Sequence, residues 1–426
     1  MKKLACLLLC ALLLCGCTGE PVPTEPTETP TRPVVEVPME EETAPLRYEG
    51  VQLNYWSLLA QDDAEARVLQ LAAADFEETT GAEVQLNWLA GDEARLAQLL
   101  AEKGQVDLFE VSGEGLKQNH LNDALDLTEL ARNAGYEEKS WDTLRSQILD
   151  RCGTLRAVAH RPCLYGFYYN RESFEAVAGG AVPSGWQDYL AFCQQAQEAG
   201  FEPLVIDQER AHLILELHME RALGWDTLRD TMVNSLWRQN DMGMTMIQEA
   251  IGFAEAGYLV KGNPAVYPLG QNRLAQSNVI FVAGSNVLCA EVEESTLSEI
   301  SWGVCPYPGD GPGSGLLVDA DVLAIQKDCA QPEAAFEFIL LLTTGEYDQL
   351  RADLTLGIPA DPANSSPIAG ANSCMAEATA HAPKWFTPEH NELFTRLWNG
   401  YYKTGAYFAN QLNQLARYFA DEKTVG

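Results

Sequence analysis

Positive charge is scarce in this chain of 426 residues: 28 lysines and arginines stand against 61 aspartates and glutamates, a formal net charge of −33. Such a surplus repels phosphate backbones and anionic headgroups, which argues against nucleic acid or an anionic lipid surface as partner. It leaves a neutral ligand open, and solubility is its ordinary role. Long apolar runs are missing as well, since past the first seventeen residues nothing approaches the ~20 residues of a membrane-spanning helix. Catalytic signatures are also lacking: H-E-x-x-H, G-x-S-x-G, the P-loop and G-x-G-x-x-G do not occur. No cofactor and no resident metal are expected. Glu209, His212, Glu216 and His218 do fall on one predicted helix, but only the first three share a face and no second such motif completes a metal site. Paired carboxylates for glycoside hydrolysis are set by the fold rather than by spacing, so a glycosidase stays open at this level.

Cysteine is present without a framework. Beyond Cys17 there are seven, Cys152, Cys163, Cys193, Cys289, Cys305, Cys329 and Cys374, an odd number with no CxxC pair. At least one thiol of a monomer therefore stays free. Cys152 and Cys163 flank a short predicted strand pair and are the first candidates for a bridge; the other reading is buried free cysteines acting as small hydrophobes.

The amino terminus is where specific chemistry appears. Lys2 and Lys3 precede an apolar run from Leu4 to Leu14, too short to cross a bilayer and shaped like a secretion leader. It ends in Leu14-Cys15-Gly16-Cys17, which resembles the bacterial lipobox; that resemblance implies removal of residues 1–16 and lipidation of Cys17. Losing Lys2 and Lys3 with the leader takes the net charge from −33 to −35. Residues 17–47 are rich in Pro, Thr and Glu and lack apolar periodicity, so they read as an extended tether. The tether suits both a domain sweeping the volume above a membrane and a passive spacer. The expected location is outside the cytoplasm, held by lipid to the outer face of the cell membrane.

From residue 48 the chain is long enough for two lobes. Val51–Ser57 alternates like a strand, residues 62–80 carry Val68, Leu69, Ala72 and Phe76 at helical spacing, and strands over 84–89 and 106–111 bracket a second helix. Strand, helix, strand, helix, strand predicts a parallel sheet covered by helices, whose ligands bind beyond the carboxyl ends of the strands. Trp56, Ser57, Asp107 and Glu110 fall at those ends. Further strands are expected at Leu164–Asn170, Val279–Val282 and Leu316–Ile325, with helices near 186–199, 209–223, 227–237, 243–256 and 332–342. The loop Pro306–Gly315 is a clear break.

In this order the segments resemble the family 1 extracellular solute-binding proteins, the substrate-capturing lipoproteins of carbohydrate ABC importers. The likeness is carried by Tyr55-Trp56-Ser57, Phe76-Glu-Glu-Thr-Thr-Gly-Ala-Glu-Val84, Val106-Asp-Leu-Phe109 and Tyr165-Gly-Phe-Tyr-Tyr-Asn-Arg171. It continues in Pro183-Ser-Gly-Trp-Gln-Asp188, Gly303-Val-Cys-Pro-Tyr-Pro-Gly309, Ala324-Ile-Gln-Lys327 with Glu333-Ala-Ala-Phe-Glu-Phe338, and Leu356-Gly-Ile-Pro359. The resemblance implies an α/β, two-lobed periplasmic-binding-protein-like fold of type II, with a ligand cleft between lobes and three hinge crossings. By analogy lobe I takes 48–163 and 316–355, and lobe II takes 164–315 and 356–426, with crossings near Leu164, Gly315 and Gly357. It further implies a binding protein rather than an enzyme, a monomer, and ABC importer permease subunits as partners. Two departures bear on the ligand: Asn286 stands where many relatives have an aromatic, and His160-Arg161-Pro162-Cys163 replaces the usual approach to the hinge.

Sugar faces carry C–H patches and sugar edges carry hydroxyls, so a sugar site needs aromatic platforms beside planar polar groups. Trp56, Tyr169, Trp225, Trp302, Tyr307 and Trp385 are the candidate platforms. Ser57, Asp62, Glu110, Asn170, Ser285, Asn286 and Asp319 are the candidate hydrogen-bonding groups. Each has a plainer reading: Trp56 ends a core strand, only one of Tyr168 and Tyr169 can face a cleft, and Asn170 suits a cap. A ligand sensor of the same fold, read by a membrane signalling protein, is the alternative to transport.

Overall fold

A computed structural model describes residues 45–379, apart from 180, 207–211, 234–244, 246–248, 250–251, 254, 262–268 and 277. The leader, Cys17, the tether up to residue 44, Glu209 and Trp385 lie outside the described residues, as does most of the helix expected over 243–256.

Strand β1 (Gln52–Ser57) follows from its alternation: Leu53, Tyr55 and Ser57 are buried on one face, while Asn54 and Trp56 on the other are half-buried. The Ala66–Thr80 helix buries Val68, Leu69, Ala72 and Phe76 and stops at Gly81, whose φ of 82° is a left-handed cap. Phe76 packs on Phe338 of the Pro332–Thr343 helix with ring centroids 5.3 Å apart. Strands β2 (Glu83–Trp88) and β3 (Leu108–Ser112) both pair with β1 in parallel, as two helix-bearing crossovers require.

The sheet then changes character. Strand β4 (Val158–Asn170) and strand β9 (Leu317–Ile325) run antiparallel to each other, and β9 also pairs antiparallel with β3. Beyond Tyr165, β4 exchanges β9 for β7 (Val279–Ser285) and β8 (Trp302–Cys305). Strand β5 (Glu202–Ile206) joins β7 and β6 (Leu259–Lys261) in parallel, so the strand order is β2-β1-β3-β9-β4-β7-β5-β6, with β8 on the side of β4. A single strand, β4, thus belongs to both halves of the sheet. Its alternation divides the core: Leu164 and Tyr168 enter the cluster that holds Leu53, Tyr55 and Phe338, whereas Phe167 and Tyr169 enter a second cluster with Phe281, Tyr189 and Tyr307.

One expectation is corrected. Cys163 lies inside β4 and Cys152 ends the Asp142–Cys152 helix; both are free, as are the five other described cysteines. The local strand pair that was to be stapled does not form, because β4 finds its partner in β9, far along the chain. Gly315, near one of the expected crossings, is held in a left-handed turn. Its φ is +71°, a Cβ there would meet Tyr307 O at 2.5 Å, and its amide donates to Glu220 Oε2 at 2.6 Å. Glu220 further accepts from Ser314 N and from Thr379 Oγ1, so one buried carboxylate clamps the end of the 306–315 loop.

Candidate functional site

The site grows from an irregularity in β4. Its register against β9 shifts between Ala159 and Arg161, which takes His160 out of the ladder and sets Arg161 directly opposite Asp321. Such bulges re-aim side chains. The Arg161 guanidinium contacts Glu110 Oε1 at 2.5 Å, Asp321 Oδ2 at 2.9 Å and, through its other terminal nitrogen, Glu65 Oε2 at 3.6 Å. These carboxylates come from β3, β9 and the residue preceding the Ala66–Thr80 helix. Glu110 is fully buried and is itself held by Ser57 Oγ at 2.7 Å and Leu58 N at 3.0 Å.

Above this network lies a cavity of about 480 Å³. Strand β4 lines it with Arg161, Cys163 and Tyr165, β9 with Asp319 and Asp321, and the end of β3 with Ser112. Asn286 and Val287 enter from the start of the Val287–Thr296 helix, and Arg351 and Gly357 from the Gly345–Thr355 helix and the turn after it. The walls thus join strands β3, β4 and β9 to the start of the helix that follows β7. Asp319 is paired with Arg151 at 2.8 Å, and Gly113 leaves room beside them, since a Cβ would stand 2.3 Å from Arg151 Nη1 and displace that guanidinium. Arg351 binds Asp348 Oδ1 at 2.9 Å and donates to Ile358 O, while its Nε has no partner. Asn286 Oδ1 accepts the backbone N–H of Leu164 at 2.9 Å, tying the helix start to β4.

The electrostatics follow from crowding of charge at low exposure. Burial opposes the Arg161 charge, but Glu110, Glu65 and Asp321 outweigh it and hold the guanidinium above its ordinary value. Burial likewise pushes the carboxyl of Glu65 up, and that of Asp321 to about 6 against the pull of Arg161. His160 is buried and held neutral, its pKa depressed first by burial and then by Arg351 and Arg161. Tyr165 and Cys163 are kept protonated by burial, with Cys163 at about 11. The arrangement supplies planar acceptors and donors around one aromatic ring, which suits reversible hydrogen bonding.

The residues anticipated from sequence divide into three groups. Asn286 and Asp319 line the cavity, and Ser57 and Glu110 stand directly behind Arg161. Ser285 also stands back from the cavity, beside the Cys163 thiol. Others are elsewhere. Trp56 is half-buried against the core and its indole N–H donates to Gln105 O at 2.8 Å. Asp62 is exposed, and Trp225, half-buried at the head of the Trp225–Val233 helix, is not on the lining. Tyr169, Trp302 and Tyr307 are core rather than platforms: Tyr169 packs on Phe174 and Phe281, Trp302 donates to Glu293, and the Tyr307 hydroxyl meets His218 Nδ1 at 3.0 Å. Asn170 caps the Arg171–Ala178 helix by accepting from Glu172 N and donates to Leu274 O. His218 and Glu216 are buried, and no group of three or more His, Cys, Asp or Glu among the described residues is arranged to hold a metal.

Sequence reasoning missed Glu65, Arg161, Tyr165, Asp321 and Arg351. A signal existed for Arg161 and Cys163, because the family resemblance singled out the segment 160–163 as a departure from the expected approach to the hinge. No comparable signal marked Arg351 or Glu65.

The profile of the bacterial extracellular solute-binding protein family matches residues 61–349. The chain belongs to that family. Among curated proteins no sequence matches it. Its fold is shared with solved structures at low identity. The apo form of RafE from Streptococcus pneumoniae superposes with a TM-score of 0.67 at 19% identity, over 88% of this chain and 99% of that one. The bacterial solute receptor AcbH, described as preferring β-D-galactopyranose, gives 0.67 at 14% over 89% and 99%. A sugar transporter from Bacillus licheniformis in complex with stachyose gives 0.57 at 16% over 86% and 100%. The architecture is therefore the two-lobed, periplasmic-binding-protein-like α/β fold. Among the described residues no helix is long and apolar enough to cross a membrane.

Proposed function

We propose that this chain is an extracytoplasmic lipoprotein that captures a sugar or oligosaccharide and delivers it to an ABC importer. One observation carries the ligand class: the cavity at the β4–β9 junction concentrates Glu65, Asp321, Arg161 and Arg351 beside Tyr165, the planar donors and acceptors that read sugar hydroxyls. The solved relatives described with raffinose, β-D-galactopyranose and stachyose support the same class. In this reading residues 48–163 and 316–355 form one lobe and 164–315 and 356–426 the other. Ligand contacts from both favour the closed arrangement by their differential affinity for it. Lipid on Cys17 and the 17–47 tether keep the loaded protein near the permease.

Isothermal calorimetry against a panel of neutral, amino and acetylated mono- and oligosaccharides tests the ligand class. Saturable binding of a sugar that is lost in Arg161→Met is the expected result; a panel with no binder refutes the sugar reading. Cys17→Ser is expected to remove the acyl mass and release the protein from membranes. Unchanged mass and fractionation of that variant would refute the anchor.

A further inference from the structure

We propose that the ligand bound in this cavity carries a protonated amine, with Glu65 as its main partner. The inference rests on the cavity being the ligand site and narrows what that site selects. The charged groups at and just behind its wall are Glu65, Glu110, Asp319, Asp321 and Asp348 against Arg151, Arg161 and Arg351, five carboxylates to three guanidiniums. His160 adds no charge, since burial keeps it neutral. Arg151 is matched by Asp319, and Arg351 by Asp348. Arg161 alone faces Glu65, Glu110 and Asp321, and two negative charges are left over in a poorly solvated space.

Glu65 is where that surplus opens to a ligand. The residue is only 9% exposed, lines the cavity, and leaves Oε1 without a hydrogen-bond partner. The Nε2 of neutral His160 is 3.9 Å from that oxygen, beyond hydrogen-bond reach. Its other oxygen is 3.6 Å from Arg161, a long contact compared with the 2.5 and 2.9 Å that Glu110 and Asp321 make. A buried carboxylate oxygen without a donor is costly, and an ammonium group satisfies it while cancelling surplus charge. A neutral hydroxyl supplies the hydrogen bond but not the charge. A carboxylate or phosphate group at that place supplies neither and adds repulsion. Arg161 already faces three carboxylates and has no charge left over to balance an anion.

The test uses sugar pairs that differ at one amine: glucosamine and glucose, galactosamine and galactose, and the β-1,4 glucosamine dimer with cellobiose and with its N-acetylated form. Calorimetry on the full chain at neutral pH is expected to give at least one amino sugar about ten-fold or more tighter binding than its neutral and acetylated counterparts. Glu65→Gln should bring the members of that pair to within about three-fold of each other. Asp321→Asn provides a second variant in which the preference should shrink, and circular dichroism confirms folding of each. Equal affinities within every pair, or preference for the neutral or acetylated member, overturns the amine proposal and leaves the sugar reading standing. Absence of binding by every sugar overturns both.

Discussion

Arg161 Nη2 stands 2.5 Å from Glu110 Oε1, a contact that joins β4 to β3 across β9 inside the protein. The two residues are not sheet neighbours; Asp321 of β9 lies opposite both Arg161 and Ser112 in the register. One guanidinium thereby fastens three strands at the floor of the cavity. The same contact helps fully buried Glu110 to be tolerated: Ser57 and Leu58 donate to Oε2, and the Arg161 charge stands beside Oε1, which has no hydrogen-bond donor.

Removing the cation should therefore be severe. Arg161→Met keeps the stem but leaves Glu65, Glu110 and Asp321 without their shared partner, and breaking a buried pair in this way costs about 3 to 5 kcal/mol. Urea unfolding measures it. A loss under about 1 kcal/mol would show that the network adds little to folding.

Asp321 sets a pH dependence of known sign. Its carboxyl is raised from 3.8 to about 6, so between those values the native state holds more protons than the unfolded chain. Stability from this group accordingly falls as pH rises from about 4 to 6, and is regained on acidification. The side chain is 34% exposed, which screens the effect, and a gain on the order of 1 kcal/mol is expected at neutral pH in Asp321→Asn. Melts of wild type and variant across that window check it: the two curves should converge toward pH 4, and parallel curves would exclude Asp321 as the source.

Trp56 is expected to matter for folding and not for affinity. Its indole is half-buried against the core and donates to Gln105 O, away from the cavity lining. Trp56→Ala should cost about 2 kcal/mol of stability, below the range for a fully buried tryptophan, and leave sugar affinity within about two-fold. An affinity loss above ten-fold with unchanged stability would return Trp56 to the binding site.

Gly315→Ala tests the clamp at the 306–315 loop. The alanine would have to hold φ +71° and place its Cβ 2.5 Å from Tyr307 O, so a loss of about 1 to 3 kcal/mol is expected. Glu220→Gln, which keeps the shape but weakens acceptance from Gly315 N, should lie between it and wild type. Thermal melts showing Gly315→Ala as stable as wild type would contradict the strained turn.

Local pattern alone determined much of this protein. Alternation in 51–57 and the helical spacing of Val68, Leu69, Ala72 and Phe76 specify the parallel start of the sheet, because one-sided burial has only two periods to choose from. Gly81 ends its helix as written, and Asn170 takes the cap its residue type suits. Asn286 was legible as a polar group just past a strand end, where ligands meet α/β sheets, and Asp319 as a hydrogen-bonding carboxylate within a strand. Tertiary structure decided the rest. That Trp302 and Tyr307 are core while Tyr165 lines the cavity depends on which face of β4 and β8 meets which cluster, and alternation does not say which face is inside. Arg161 meets Glu65, Glu110 and Asp321 only because a bulge in β4 turns it and because β9 returns from far along the chain to lie between β3 and β4. Contacts of that separation leave no local periodicity, so no pattern in the neighbourhood of any one of the four residues announces the others.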